Sequence, residues 1–449
     1  MIDDLDREKL GKILRKIRKD KGLRIEDCVI PRKLSQPTIS NIEMGVRSVT
    51  LNKIKIYCDV LGFDLKDAPT LTGEEFKTTE AKESESNKVK LSVIEGLVRA
   101  NETNKAQAKL KELNIKSNDP LKANVYFLQG LIYLLKQKTD DAIKSYNRAI
   151  QFIDKDPDNL NKTNIRANSY LELGAIAYRQ NDFKLALKNA RMAYHFFDSD
   201  GERQYLKHMI LMNQAIYLEQ LNRREQAQNI IKDLWKEVHE IEHLEVVLNM
   251  YDVQATISLK SEMYQEAIKD AKKGIELAAL NYKHDRAGEL WKTLGIVYKN
   301  MGIHDLAIEA LETAKFMLGN YDKKHQLLVV DRELAEIYIN HKQWRKAQRL
   351  LRNSLKNSDK KYSNMVRYIQ ALITLGKSCF YVEEYEEAEK LYDQAHTLAK
   401  EHDFQILEYK ALLKLGELWE KVDHDKFTKH LNDLYQAAIQ LDEGGEFDV

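Results

Sequence analysis

Proline and glycine are scarce in this chain, with 5 and 18 among 449 residues, against usual frequencies of roughly 5% and 7%. So few breakers over such a length predict a mostly helical protein. Cysteine is scarcer still. Cys28, Cys58 and Cys379 lie far apart and form no CxxC pair. That excludes a disulfide framework or a cysteine zinc knuckle, suits a reducing compartment, and leaves each cysteine as a small buried hydrophobe. No apolar run approaches the ~20 residues a bilayer crossing needs. The opening Met1-Ile-Asp-Asp-Leu-Asp-Arg is too polar for a signal peptide. A cytoplasmic protein without membrane contact is expected. Nor does one sign of charge prevail: 71 Lys and Arg face 70 Asp and Glu. Glycine-rich phosphate loops and GxSxG elbows are missing, so no cofactor is implied and the chain is not expected to be an enzyme.

What is present is a repeat. Pairs of small residues stand twelve apart: Gly130 with Ala142, Gly174 with Ala186, Ala215 with Ala227, Ala255 with Ala267, Gly295 with Ala307, Ala335 with Ala347, and Gly376 with Ala388. The second members step by 44, 41, 40, 40, 40 and 41 residues. Two antiparallel helices approach closely only where both carry small side chains. The large neighbours Tyr133, Tyr146, Tyr298, Leu311, Tyr338, Leu351 and Tyr392 are then expected to fill the space on either side. A single hairpin cannot bury both faces, so hairpins stack. The pattern resembles the tetratricopeptide repeat, whose usual period is 34, in a long-helix variant. Lys88–Leu113 reads as a degenerate first repeat with Ala108 as its small residue, and Gly416–Leu441 as a capping hairpin. An all-α fold follows: a right-handed superhelix of about eight or nine hairpins over 88–441, with an acidic tail at 442–449.

The N-terminal segment differs. Lys9–Lys55 holds thirteen Lys and Arg against four Asp and Glu, an electrostatic footprint suited to phosphate backbones. Leu10, Ile13, Leu14 and Ile17 line one side of a first helix that ends at Gly22-Leu23. Arg24–Ile30 predicts a second helix. Ser35 caps a third that closes at Gly45, and Thr50–Leu61 supplies a fourth, with a fifth turn beyond Gly62. Gly22-Leu23, Thr38-Ile-Ser-Asn-Ile-Glu43, Gly45, Arg47 and Leu61-Gly62 resemble the Cro/C1-type helix-turn-helix domain, here a five-helix unit over 1–67. That resemblance implies that Gln36, Pro37, Thr38 and Asn41 meet base edges, while Ser40, Arg47 and Lys53 meet phosphates. Ile39, Ile42 and Leu51 are expected in the core, with Glu43 a structural partner. Pro31 falls where the family's second helix would still be running and should end or kink it. Ala68–Asn87 reads as a linker, or as a helical hinge through Glu74–Lys82.

In tetratricopeptide stacks the first helix of each hairpin lines the concave face. Six residues before each small residue stand Asn124, Asn168, Met209, Asn249, Glu289, Val329 and Gln370. Asp252, Lys292 and Arg332 stand three before, and Asn213 two before. A ladder of amides offers donors and acceptors to the backbone of an extended peptide. Lys292 and Arg332 suit a carboxylate. The candidate peptide contacts are Asn124, Asn168, Asn213, Asn249, Asp252, Lys292 and Arg332. A helix-turn-helix followed by long-period repeats resembles the peptide-pheromone receptors of the RRNPP group. That resemblance implies a dimeric transcription regulator binding a double-stranded DNA operator and a short signalling peptide. The alternative is a protein–protein regulator that sequesters a partner such as a response regulator.

One literal metalloprotease pattern remains, His239-Glu-Ile-Glu-His243. Repeat phase sets His239 near the end of a second helix and His243 in the following loop, so the two are not expected to share a helix face, and no metal is assigned.

Overall fold

The computed structural model describes residues 7–46, 48–64, 79–116, 118–321, 324–358 and 365–443. Among these, every regular element is a helix and no strand occurs. The chain divides into two compact units, Met1–Ile115 and Lys116–Val449.

The first unit opens with α1 (Arg7–Asp20), α2 (Gln36–Glu43) and α3 (Leu51–Leu61) around a core of Leu10, Leu14, Ile39, Ile42, Ile54, Tyr57 and Leu61. Leu51 sits at its half-buried edge. Gly11 lets α1 cross α2 closely, because a Cβ there would strike the Ile42 and Glu43 carbonyls. The helix expected over Arg24–Ile30 is instead one 3-10 turn, Glu26–Cys28. Pro31 explains the loss: the chain reverses through Arg32 at φ +63°, tied by Leu34 N–H to the Ile30 carbonyl at 2.9 Å. The described part of this domain therefore has three α-helices and a 3-10 turn where five helices were expected. The segment beyond Asp64 lies outside the described residues up to the start of α4 at Thr79.

Glu43 is the buried hinge of this core. Arg18 donates to both its oxygens, from Nε at 2.6 Å and Nη2 at 2.9 Å, and Tyr57 donates its hydroxyl at 2.6 Å. Burial alone would raise the Glu43 pKa, but the Arg18 and Tyr57 hydrogen bonds outweigh it and hold the carboxyl below its ordinary value. The structural role expected of Glu43 is what the geometry provides. The unit ends in a hairpin, α4 (Thr79–Arg99) and α5 (Thr103–Glu112).

The second unit is a run of helical hairpins. They are α6 (Lys122–Leu135) with α7 (Thr139–Ile153), then, after the short α8 (Pro157–Leu160), α9 (Ile165–Arg179) with α10 (Phe183–His195). Next come α11 (Leu206–Gln220) with α12 (Arg224–Lys236) and α13 (Leu244–Lys260) with α14 (Tyr264–Leu280). α15 (His284–Asn300) pairs with α16 (His304–Gly319), and α17 (Lys324–Asn340) with α18 (Trp344–Asn357). α19 (Met365–Tyr381) pairs with α20 (Tyr385–Glu401), and α21 (Gln405–Val422) with α22 (His424–Glu443). Residues 444–449 of the expected tail lie outside the described residues.

The period follows from helix length. α13, α14 and α15 have 17 residues each and are separated by three-residue turns, which fills a 40-residue repeat. The 44-residue step arises from α8 and the turn after it. Asn164, at φ +56°, anchors that insertion by donating to the Asp198 carbonyl at 2.9 Å and accepting from the Asp198 amide at 2.8 Å.

Packing obeys the small-residue rule with one refinement. All seven second alanines are fully buried. Yet Gly130, Gly295 and Gly376 make room for Tyr146, Leu311 and Tyr392, one helical turn beyond the alanine. A Cβ on Gly130 or Gly376 would lie 2.5 Å from the tyrosine ring. In the last hairpin the alanine is absent, and the His430 ring is the nearest group to where a Gly416 Cβ would be, at 3.6 Å.

The first seven hairpin turns of the second unit each carry a left-handed residue five positions before the packed alanine: Gln137, Asn181, Asn222, Glu262, Gly302, Lys342 and Glu383. The next amide then bonds back to a carbonyl five residues earlier, as Lys138 does to Tyr133 at 2.9 Å and Gln343 to Tyr338 at 2.8 Å. Asn101 makes the same turn between α4 and α5, which selects Ala106 as the small residue. Ala106 is fully buried whereas Ala108 is exposed, so the expectation for Ala108 is corrected.

Candidate functional site

The first helices of successive hairpins lie side by side and make a continuous inner layer from α6 through α9, α11, α13, α15, α17 and α19 to α21. The layer curls. Tyr178 on α9 and Arg367 on α19, five hairpins apart, fall within each other's electrostatic reach, together with Glu289 on α15. These helices therefore enclose a polar groove within the second unit.

The expected ladder of amides divides into two halves. Asn124 and Asn168 are nearly buried on α6 and α9, and Asn124 Oδ1 has no hydrogen-bond partner among the described residues. Asn213 is half-buried on α11 beside the Tyr217 hydroxyl. The other candidates are committed to neighbouring helices. Asn249 accepts from Arg286 Nη2, and Arg286 also pairs with Glu289 and Glu245. Asp252 accepts from the Thr293 hydroxyl at 2.6 Å. Lys292 donates to Gln326 at 3.1 Å, and Arg332 to Gln370 at 2.8 Å and to Glu333. Lys299 completes that cluster by bonding Glu333 and Glu336. These polar ties bridge consecutive repeats and set how one hairpin sits on the next.

Two groove residues not singled out by the repeat pattern carry charge without a partner. Arg367 makes no hydrogen bond or ion pair among the described residues. Burial pulls its pKa down, the nearby Tyr178 and Glu289 offset this in part, and Arg332 adds to it. The guanidinium stays charged, so its charge is held in a poorly solvated place. Glu172 on α9 is the opposite case: burial raises its carboxyl pKa, with Arg179 opposing. Both side chains are half-buried, so each charge is partly desolvated, and such groups facing a groove are candidates for ligand contact. Glu172 stands two residues before Gly174, the position that selected Asn213, so its place in the repeat could have found it. Arg367 falls on none of the three expected positions.

In the first unit, Gln36, Pro37 and Lys53 are exposed, while Thr38, Ser40 and Asn41 are half-buried along α2. The Ser35 hydroxyl meets the Thr38 hydroxyl at 2.8 Å and makes no bond to a helix amide. Arg47 lies outside the described residues.

His239 lies in the 3-10 turn Val238–Glu240 with its side chain 75% exposed, and His243 is the residue before α13. The pair does not share a helix.

The tetratricopeptide repeat family model matches residues 123–156, which is the hairpin α6–α7. No curated protein matches the sequence. Among solved structures, a Rap protein complexed with competence and sporulation factor is similar, with TM-score 0.57 and 15% identity over 80% of this chain and 99% of that one. The apo quorum sensor NprR from B. thuringiensis is similar with TM-score 0.55 and 14% identity over 79% and 99%. A STAND-class signal-transduction ATPase with a tetratricopeptide sensor, from Pyrococcus horikoshii, aligns with TM-score 0.51 and 16% identity over 97% of this chain and 64% of that one. At these identities the likeness establishes the fold: superhelical repeats of tetratricopeptide type. No described helix is long and apolar enough to cross a membrane.

Proposed function

We propose that the chain is a dimeric regulator that binds a short signalling oligopeptide in the groove of its second unit and double-stranded DNA through α2 and its flanks. The observation that carries the peptide half is the groove itself. It is lined by Asn124 with an unpartnered carbonyl oxygen, by Glu172 and by Arg367, charges without partners among the described residues. An extended peptide supplies backbone N–H groups for the amides and a carboxylate for Arg367. The fold shared with the Rap structure complexed with a signalling factor and with the quorum sensor NprR supports the same reading. The DNA half rests on the basic excess of residues 9–55 and on the exposed Gln36, Pro37 and Lys53. Asn41, Thr38 and Ser40 lie on the same short helix.

Switching requires the peptide to prefer one groove conformation, since equal affinity shifts nothing. The inter-repeat ties Arg286–Asn249, Thr293–Asp252 and Arg332–Gln370 are the elements whose rearrangement would change hairpin-to-hairpin angles.

The second reading is a protein–protein regulator. The reduction of Arg24–Ile30 to one 3-10 turn favours it, because the helix that braces a recognition helix in the Cro/C1-type domain is missing there. Calorimetry of the full chain against short peptides encoded beside its gene tests the groove. A gel shift with the DNA flanking that gene tests the head. Peptide binding without DNA binding at low salt would select the second reading, and neither would overturn both.

A further inference from the structure

We infer that His208, Glu237 and Glu240 form a binding site for a divalent first-row transition metal ion of the zinc class, on the hairpin edge where α11 meets the turn after α12. The three ligand atoms lie within 4.8 Å of one another. His208 is 7% exposed, and its Nε2 has no hydrogen-bond partner among the described residues. That nitrogen faces Glu237 Oε2 at 3.4 Å. Zinc bonds of about 2.0–2.2 Å at a tetrahedral angle hold two ligand atoms about 3.4 Å apart. A buried imidazole aimed between two carboxylates without a good hydrogen bond is the arrangement a metal completes. One nitrogen and two carboxylate oxygens suit zinc, cobalt or manganese and disfavour magnesium, which prefers all-oxygen sites.

The backbone supplies the spacing. Glu237 ends α12, and the following 3-10 turn, closed by the Glu240 amide on the Glu237 carbonyl at 2.8 Å, brings Glu240 back over it. His208 comes from the first turn of α11. Beside the cluster is an open cavity of about 520 Å³ lined by Tyr194, Phe197, Gln204 and Tyr205 as well as His208 and Glu240. It leaves room for water or a further ligand in the remaining coordination position. Lys207 now occupies part of the site, with Nζ 2.7 Å from Glu237 Oε2. A dication would displace it, since the Lys207 side chain is 34% exposed and lies at the edge of the open cavity. The set differs from the literal HExxH pattern: His239 is 75% exposed, with Nε2 3.7 Å from Glu240 Oε1, and only Glu240 is common to both.

The test is titration of the full chain with Zn²⁺ by calorimetry after chelator dialysis. Wild type and His239→Ala are expected to bind one equivalent, and His208→Ala and Glu240→Gln to lose it. Circular dichroism confirms folding, and Glu240→Gln, at a side chain 60% exposed, serves if His208→Ala does not fold. Absence of binding in wild type, or stoichiometric binding that survives Glu240→Gln, or its loss in His239→Ala, would overturn the assignment.

Discussion

Replacing Arg367 with methionine should make the second unit more stable. The side chain keeps its length and apolar stem but loses a charge that is desolvated and has no hydrogen bond or ion pair among the described residues. Arg367 is half-buried, so its desolvation costs only part of the about 1–3 kcal/mol of a fully buried unsatisfied polar group. The attraction of Glu289 offsets part of that cost, but Glu289 already serves Arg286. The net gain expected for Arg367→Met is therefore under about 1 kcal/mol. All four tryptophans, Trp235, Trp291, Trp344 and Trp419, belong to the second unit. Tryptophan fluorescence, excited selectively, therefore reports on that unit alone during urea unfolding. The midpoint should rise in Arg367→Met, and peptide affinity should fall by about 10- to 100-fold, the size of one lost charge-assisted hydrogen bond. A lower midpoint would mean that Arg367 holds the fold together, and the reasoning that reserves it for a ligand would fail.

Three further outcomes follow from the same geometry. Glu172→Gln should stabilise the second unit at pH 7. The folded-state pKa of Glu172 is raised, so its cost appears as pH climbs above the ordinary value near 4.5, and the advantage of glutamine should vanish in urea titrations below that pH. Glu43 has the opposite sign. Its folded pKa is depressed, so its contribution is present above about 4.5 and lost as pH falls further. Glu43→Gln, which strands Arg18, should cost about 3–5 kcal/mol, read as faster amide exchange across α1 and α3. Gly376→Ala should cost about 1–3 kcal/mol by crowding the Tyr392 ring. Tyr392→Leu in the same chain should recover part of that loss in a double-mutant cycle.

The repeat phase was legible because close helix approach demands small residues, and those seven pairs cannot drift without a clash. The turns were less so. Only Gly302 among the seven left-handed hairpin-turn positions of the second unit is a glycine. Asparagine, glutamine, glutamate and lysine fill the rest and carry no clear turn signal. Reading Asn101 as such a turn would have selected Ala106 over Ala108. Arg24–Ile30 carries helix formers, but Pro31 and the reversal at Arg32 leave room for one 3-10 turn only. In the groove, position within the repeat located the inner face but not its bonding. Asn249 and Asp252 are taken by Arg286 and Thr293 from the next hairpin, pairings about 40 residues apart that depend on how repeats stack. Arg367 escaped for the same reason: its isolation is a property of the curled layer.

The proposed function requires that peptide in the groove alter DNA binding by the N-terminal domain. Its most direct test is fluorescence anisotropy of labelled DNA from beside the gene, titrated with the full chain at fixed salt, with and without the peptide that calorimetry identifies. Salt-dependent DNA binding is expected, with an affinity or stoichiometry that changes with peptide in wild type and does not change in Arg367→Met. DNA binding indifferent to a peptide that demonstrably occupies the groove would contradict it.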